Sequence, residues 1–368
     1  MANIDQLEKE IKTPLPGAPA REEASTYYVE ILSECNLKCV MCGFGSREIF
    51  ERKRGKMDVA LFGKIVDEIA KRSPHATVAP YHHCEPLLHP QLSEMVKIIK
   101  SHNLFCEVST NLNVAGGLKE LLEAGVDSLD ISVSGFYQET YEKNHVGGDI
   151  EEVKRNLKLL HDLIKQMKTG PQITVFYHMY TDNLGEDFER MKEYVESLGF
   201  SFSPNWSRSI CTEMSLKYIR ETGYSRYHGE TLKWFDDMPP LTDAYKSGIE
   251  RMIYLPQDYL EGKWGETRLD ECPMNGRLIN IRWNGKLSLC SCTFDDRLSV
   301  YEYLTTPIEQ LWEARRSHPV CRECLANNYA LYMNYFDMDY IDKIARARLS
   351  PDLASNRRFF GDNGVAEL

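Results

Sequence analysis

Along residues 26–206 the chain alternates short β-rich runs with longer stretches whose apolar positions recur every three or four residues. The runs TYYVEILS (26–33), ATVAPYH (76–82), LFCEVSTN (104–111), SLDISVSG (128–135), QITVFYHMY (172–180) and FSFSPNW (200–206) read as strands. Between them, DVALFGKIVDEIAK (58–71) sets Phe62, Ile65, Val66 and Ile69 on one helical face, with Asp58 placed to cap the first turn. QLSEMVKIIKSHN, LKELLEAG, IEEVKRNLKLLHDLIKQMK and DFERMKEYVESLG repeat that logic. Six β-then-α units in succession predict a parallel sheet flanked by helices, either an open doubly wound sheet or a partial barrel. In both, the loops after the strand C-termini form the reactive face.

The rhythm stops near residue 206. Residues 207–268, rich in Tyr, Trp, Met, Asp and Pro, follow neither period and read as a linker or insertion of undefined role. Residues 269–330 contain a hairpin-like run, LINIRWNGKLSLCSC, with Asn284-Gly285 as its turn signal and cysteines on both sides. Residues 331–368 read as an aromatic, Met-rich helix beginning near 330, followed by a polar tail. Residues 1–25 read as an N-terminal arm, a short charged helix and then a Pro/Gly/Ala stretch.

Composition narrows the class. The 368 residues are 42% hydrophobic and 27% charged, enough to bury a substantial core. A formal net charge of -11 disfavours phosphate backbones and anionic lipid, so nucleic acid and membrane surfaces are not expected partners. No stretch approaches the roughly 18 apolar residues of a membrane span, and the start lacks the apolar core of a secretion signal. A cytoplasmic location is therefore expected. Eleven cysteines in that compartment point to metal ligation or redox chemistry. There is no P-loop, dinucleotide fingerprint or nucleophile elbow.

Three cysteines, Cys35, Cys39 and Cys42, follow directly on the first strand. A structural zinc site wants four ligands, whereas three thiolates can hold three corners of a [4Fe–4S] cluster and leave the fourth iron open. On spacing alone, a zinc site completed by a distant residue, or buried unligated thiols, also remain. Cys272, Cys290, Cys321 and Cys324 form a second set, a full complement for one metal centre that spacing leaves balanced between zinc and iron–sulfur. The remaining Cys84, Cys106, Cys211 and Cys292 read first as small buried hydrophobes. Cys84 lies closest to the reactive face, and Cys292 is an alternative ligand. His178, in the fifth strand, is a candidate general base if it points inward.

CxxxCxxC at the head of repeating βα units resembles the radical S-adenosylmethionine (radical SAM) superfamily. HHCEPLLHP (82–90), STNLN (109–113) and ISVSGFYQETYEKNHVGGDIEEV (131–153) are similar to its GGEPLLHP, TNG and ISxDG…ETYExxRxGG segments. The resemblance implies a partial (β/α)6, TIM-like barrel. It also implies a cluster on Cys35, Cys39 and Cys42 whose open iron binds SAM, and a 5′-deoxyadenosyl radical that abstracts hydrogen from the substrate. Implied SAM contacts are Glu85 for the amino group, Asn111, Ser132 near the carboxylate and Met41 against the adenine. His145 stands where an arginine is common, and Asn183 where relatives carry a sugar or adenine contact.

The C-terminal cysteines resemble the twitch domain, the shorter relative of SPASM, which binds one auxiliary [4Fe–4S] cluster. Their pattern is similar to that of the 2-deoxy-scyllo-inosamine dehydrogenases. What this implies is oxidation of a secondary alcohol on a sugar or aminocyclitol, as in natural product biosynthesis, with the auxiliary cluster accepting the electron. A flavodoxin or ferredoxin is the implied electron donor. Alternatives are an epimerase that quenches its product radical with the Cys84 thiol, a peptide-modifying enzyme, or a non-catalytic zinc- or cluster-binding scaffold.

Overall fold

The computed structural model describes residues 24–45, 50, 52–167, 170–356 and 359. The expected N-terminal helix, and nearly all of the polar tail beyond residue 356, lie outside the described residues.

All six predicted strands form, each within its predicted run: β1 (Thr26–Val29), β2 (Thr77–Ala79), β3 (Phe105–Thr110), β4 (Ser128–Val133), β5 (Gln172–Met179) and β6 (Ser201–Trp206). They pair in parallel in the order β6-β5-β4-β3-β2-β1. The connecting helices are α1 (Val59–Arg72), α2 (Leu92–Ser101), α3 (Leu118–Glu123), α4 (Gln138–Glu142), α5 (Ile150–Met167) and α6 (Glu186–Ser197). Asp58 caps α1, its carboxylate accepting from the amides of Ala60 and Leu61 at 2.8 and 3.3 Å. The predicted face of Phe62, Ile65, Val66 and Ile69 is fully buried. The side-chain alternation of a strand then divides the sheet. Leu129, Ile131 and Val133 of β4 and Val175, Tyr177 and Met179 of β5 are buried in the core. The opposite, interior face carries Glu107, Asp130, Ser132, Phe176 and His178, all half-buried.

The hairpin adds to this same sheet. β7 (Leu278–Ile281) pairs in parallel with β1, and β8 (Lys286–Ser288) and β9 (Ser299–Glu302) follow antiparallel, giving nine strands in the order β6-β5-β4-β3-β2-β1-β7-β8-β9. At the Asn284-Gly285 turn only Gly285 is left-handed (φ 83°). Its amide donates to the Arg282 carbonyl, and the Arg282 amide to that of Lys286, both at 2.8 Å.

Residues 207–268 fold into four helices: α7 (Thr212–Glu221), α8 (Lys233–Asp236), α9 (Asp243–Glu250) and α10 (Asp258–Glu261). They brace the reactive end. The Thr212 amide donates to the Cys292 carbonyl at 2.8 Å, and the buried Glu213 carboxylate accepts from the amides of Phe294 and Asp295 at 2.8 and 3.0 Å. The chain after β6 thus reaches the loop after β8, joining the two sides of an open sheet without strand pairing.

The remaining helices are α11 (Ile308–Ser317), α12 (Pro319–Ala326), α13 (Tyr329–Met333), α14 (Met338–Arg348) and α15 (Pro351–Ala354). The single aromatic helix expected near 330–349 is instead two. Tyr335 (φ 48°) and Asp337 (φ 61°) are left-handed and break it, and Asp337 restarts it by capping the Tyr340 amide at 3.1 Å. Among the described residues no helix is long and apolar enough to cross a membrane.

Candidate active site

The loop carrying Cys35, Cys39 and Cys42 leaves the C-terminal end of β1. It is fixed by main-chain bonds from Lys38 to Val146 (3.0 Å) and from Val40 to Asn144 (3.1 Å). Burial pushes the Cys35 thiol up to about 12, with smaller contributions from Glu85 and Cys42. Burial also raises Cys39 well above the ordinary range, and there Cys42 and Cys35 add to it. Half-buried thiols that raise one another resist ionising together, and a cationic centre would relieve that. Met41 is buried under α9, where a Cβ on Gly248 would fall 2.4 Å from its Sδ.

Glu85 follows β2 and is buried. Its carboxylate accepts from Thr110 Oγ1 (2.7 Å), the Asn111 amide (2.8 Å) and the Leu87 amide (3.2 Å), and burial pushes it up to about 7. The Asn111 side chain then reaches the cysteine loop, donating to Asn36 Oδ1 at 3.0 Å and lying 3.8 Å from Cys35 Sγ. The fold therefore gathers Glu85, Asn111 and Cys35 from three successive βα units. Cys84 is half-buried, its thiol raised by burial and then by Glu30, Glu85 and Cys35.

Ser132 lies on the interior face of β4, paired with Phe176 of β5. His145 stacks on Tyr141 with centroids 4.7 Å apart, and its Nδ1 lies 2.7 Å from the Oγ of the buried Ser134. The His178 ring, whose face does point inward, is 6.4 Å away. Burial lowers His145 to about 3 and His178 to about 4, so both imidazoles are neutral near pH 7. Asn183 is fully buried and spent on main chain. It accepts from the Tyr180 amide (2.6 Å) and donates to the carbonyls of Ser134 (2.9 Å) and His178 (2.7 Å), so it staples β4 to β5.

Sequence reasoning passed over an acidic floor. Tyr81 donates to Glu107 at 2.5 Å, and burial, aided by Glu107, pushes Asp130 up to about 7. The signal was available: Asp130 shares strand parity with Ser132 in SLDISVSG. Arg208, just after β6, was passed over as well.

The C-terminal thiols come together from three elements. Cys272 precedes β7, Cys290 follows β8, and Cys321 and Cys324 share α12. Burial raises Cys324 most, and Cys272, Cys290 and Cys321 all add to it. The buried Arg315 counters that charge, lowering Cys272, Cys290 and Cys321 while its Nε donates to the Leu289 carbonyl at 2.7 Å. Cys292 hydrogen-bonds the Cys290 sulfur, lowering Cys290, and neighbours Tyr28 and Arg208 on the interior side. Cys106 and Cys211 are buried. Among the described residues no three His, Cys, Asp or Glu side chains converge on one metal-ion position.

The sequence profile of the Radical SAM superfamily matches residues 29–195. A Pyrococcus furiosus protein, the tungsten-containing aldehyde ferredoxin oxidoreductase cofactor-modifying protein, is 34% identical over 273 residues, covering 72% of this chain and 70% of its own. A probable GTP 3',8-cyclase of Methanococcus maripaludis is 30% identical over 143 residues, 37% of this chain and 45% of that one. The match thus spans under half of the cyclase. The crystal structure of Streptococcus suis SuiB bound to S-adenosylmethionine aligns with a TM-score of 0.53 at 11% identity, over 83% of this chain and 72% of that one. That likeness speaks for the fold alone. Profile, relatives and fold agree with the cysteine loop and its barrel-like sheet: the chain belongs to the radical SAM superfamily.

Proposed function

We propose that the chain is a radical SAM oxidoreductase that oxidises a secondary alcohol on a small polar molecule of the sugar or aminocyclitol kind. One observation carries this reading. A polar interior face, with Glu107, Asp130, Ser132 and His178, belongs to the same nine-stranded sheet whose β1 leads into Cys35, Cys39 and Cys42 and whose β8 leads into Cys290. Cys35, Cys39 and Cys42 would hold a SAM-binding [4Fe–4S] cluster, and Glu85, Asn111, Ser132, Met41 and His145 would surround SAM. Cys272, Cys290, Cys321 and Cys324 would hold a twitch-like auxiliary [4Fe–4S] cluster. Four thiols that neighbour one another are a full ligand set for one such cluster. When bound, the first cluster with SAM supplies hydrogen-atom abstraction and the second a one-electron sink, chemistry beyond the reach of side chains.

The chain's own part is binding and proton handling. Oxidising an alcohol to a ketone releases one hydrogen atom, one proton and one electron. Asp130, at about 7, is matched to taking the hydroxyl proton near neutral pH, whereas His178, at about 4, is a poorer base. The P. furiosus relative's name, a cofactor-modifying protein, supports a small-molecule substrate. Eleven free cysteines suit a reducing cytoplasm and a ferredoxin or flavodoxin as donor.

Anaerobic reconstitution tests the reading. With SAM and dithionite the brown protein makes 5′-deoxyadenosine, and with the right polyol it yields a product lacking two hydrogens. Solvent deuterium in an otherwise unoxidised product would replace oxidation by epimerisation. A colourless, zinc-loaded protein that leaves SAM intact would overturn the enzyme assignment.

A further inference from the structure

The guanidinium of Arg208, two residues after β6, has no carboxylate partner among the described residues. It stacks 3.6 Å over the ring of Tyr335. Its Nε–H is buried and donates to no acceptor, and the hydroxyl of the fully buried Tyr254, a neighbour of both, is likewise without a hydrogen bond. Arg208 also lies within electrostatic reach of Tyr28 on β1, His178 on β5 and Cys292 after β8. Five segments of the chain thus surround one cation, and the Tyr335 beneath it holds a left-handed backbone (φ 48°) that a tyrosine rarely adopts.

A half-buried guanidinium whose buried Nε–H is left unsatisfied is costly unless a ligand completes it. Its planar fork suits the paired oxygens of a carboxylate or phosphate. Glu107 and Asp130 lie nearer the strand starts than His178 on the same face, so an anion is favoured toward the Arg208 end. We propose that Arg208 anchors an anionic group, carboxylate or phosphate, of the substrate, orienting it with its reacting carbon toward the cysteine loop. This deepens the reading above and rests on it.

Binding, not turnover, tests it. The full chain is reconstituted anaerobically as wild type, Arg208→Gln and Arg208→Lys, with iron content as the check on folding. Inorganic phosphate, acetate and SAM are each titrated by calorimetry. Wild type is expected to bind phosphate or acetate, whichever resembles the substrate group. Arg208→Gln should weaken that binding at least about tenfold and Arg208→Lys by less, with SAM affinity unchanged. Equal anion affinity in wild type and Arg208→Gln, or no anion binding by wild type, would overturn the proposal. So would a fall in SAM affinity, which would give Arg208 to the SAM carboxylate. Should the Gln variant lose iron, the Lys variant decides: unchanged anion affinity overturns the proposal, and a severalfold loss upholds it. Failure here leaves 5′-deoxyadenosine formation untouched, so the two readings fail separately.

Discussion

Nε2 of His83 lies 3.1 Å from the main-chain carbonyl of Ser291, and this contact ties the loop after β2 to the residue beside Cys290. The carbonyl can only accept, so Nε2 carries the proton. The His83 ring also stacks on Phe294, with centroids 3.6 Å apart and planes at 17°. Phe294 in turn occupies the space a side chain at position 43 would need, next to Cys42. Arg52 cements the same junction, donating to Ser33 Oγ (3.1 Å) and the Phe294 carbonyl (3.2 Å) and pairing with the buried Glu30. The two thiol sets are therefore mechanically coupled across β1 and β7.

Gly43→Ala tests that coupling. Its Cβ would meet the Phe294 ring at 2.4 Å, and the ring is pinned by His83, so neither can yield freely. A loss of about 1–3 kcal/mol is expected in anaerobic urea unfolding, with reduced iron loading. Wild-type unfolding and full iron would show that the ring moves aside without cost.

Asp130→Asn should change the pH dependence of stability. The folded protein holds this proton up to about pH 7, whereas the ordinary value is 3.8, so folded Asp130 binds more protons between them. Its stabilisation is complete below the ordinary value and is lost as pH rises through about 7. Discounted for partial exposure, the variant should gain about 1–2 kcal/mol on wild type between pH 5 and 8. Turnover should fall about 100-fold or more if Asp130 is the base. Parallel stability curves for the two proteins would refute the buried carboxylic acid.

The resemblance sets His145 where an arginine is common, yet burial holds it near 3. SAM affinity should therefore stay flat between about pH 6 and 8. A clear tightening on acidification would mean that SAM itself recharges the ring.

The two thiol sets should separate by variant. Cys321→Ala should lose about four irons while 5′-deoxyadenosine formation persists, and Cys35→Ala should lose SAM cleavage while keeping the C-terminal centre. Iron analysis and EPR of reduced samples check both. Loss of all iron in either single variant would point to one shared centre.

Much of this was legible because it is local. A strand's two-residue period and a helix's 3.6-residue period placed six strands, the buried face of α1 and its Asp58 cap. The reading weakened where neither period holds. Residues 207–268 alternate short helices with turns, and their apolar residues face several elements at once, so no single stripe emerges. The 330–349 segment looked continuous because helical propensity says nothing of the left-handed Tyr335 and Asp337, which tertiary contacts hold.

The sequence by itself determined the trio Cys35, Cys39 and Cys42 and the loop that bears it, since eight consecutive residues carry both the donors and their spacing. Only the tertiary structure decided that β7 lies beside β1, that Glu213 clasps the amides of Phe294 and Asp295, and that Arg208 stands over Tyr335. Those partners are separated by up to some 250 residues of chain. No short-range periodicity encodes such a meeting; it follows from how buried faces and strand register close the whole sheet.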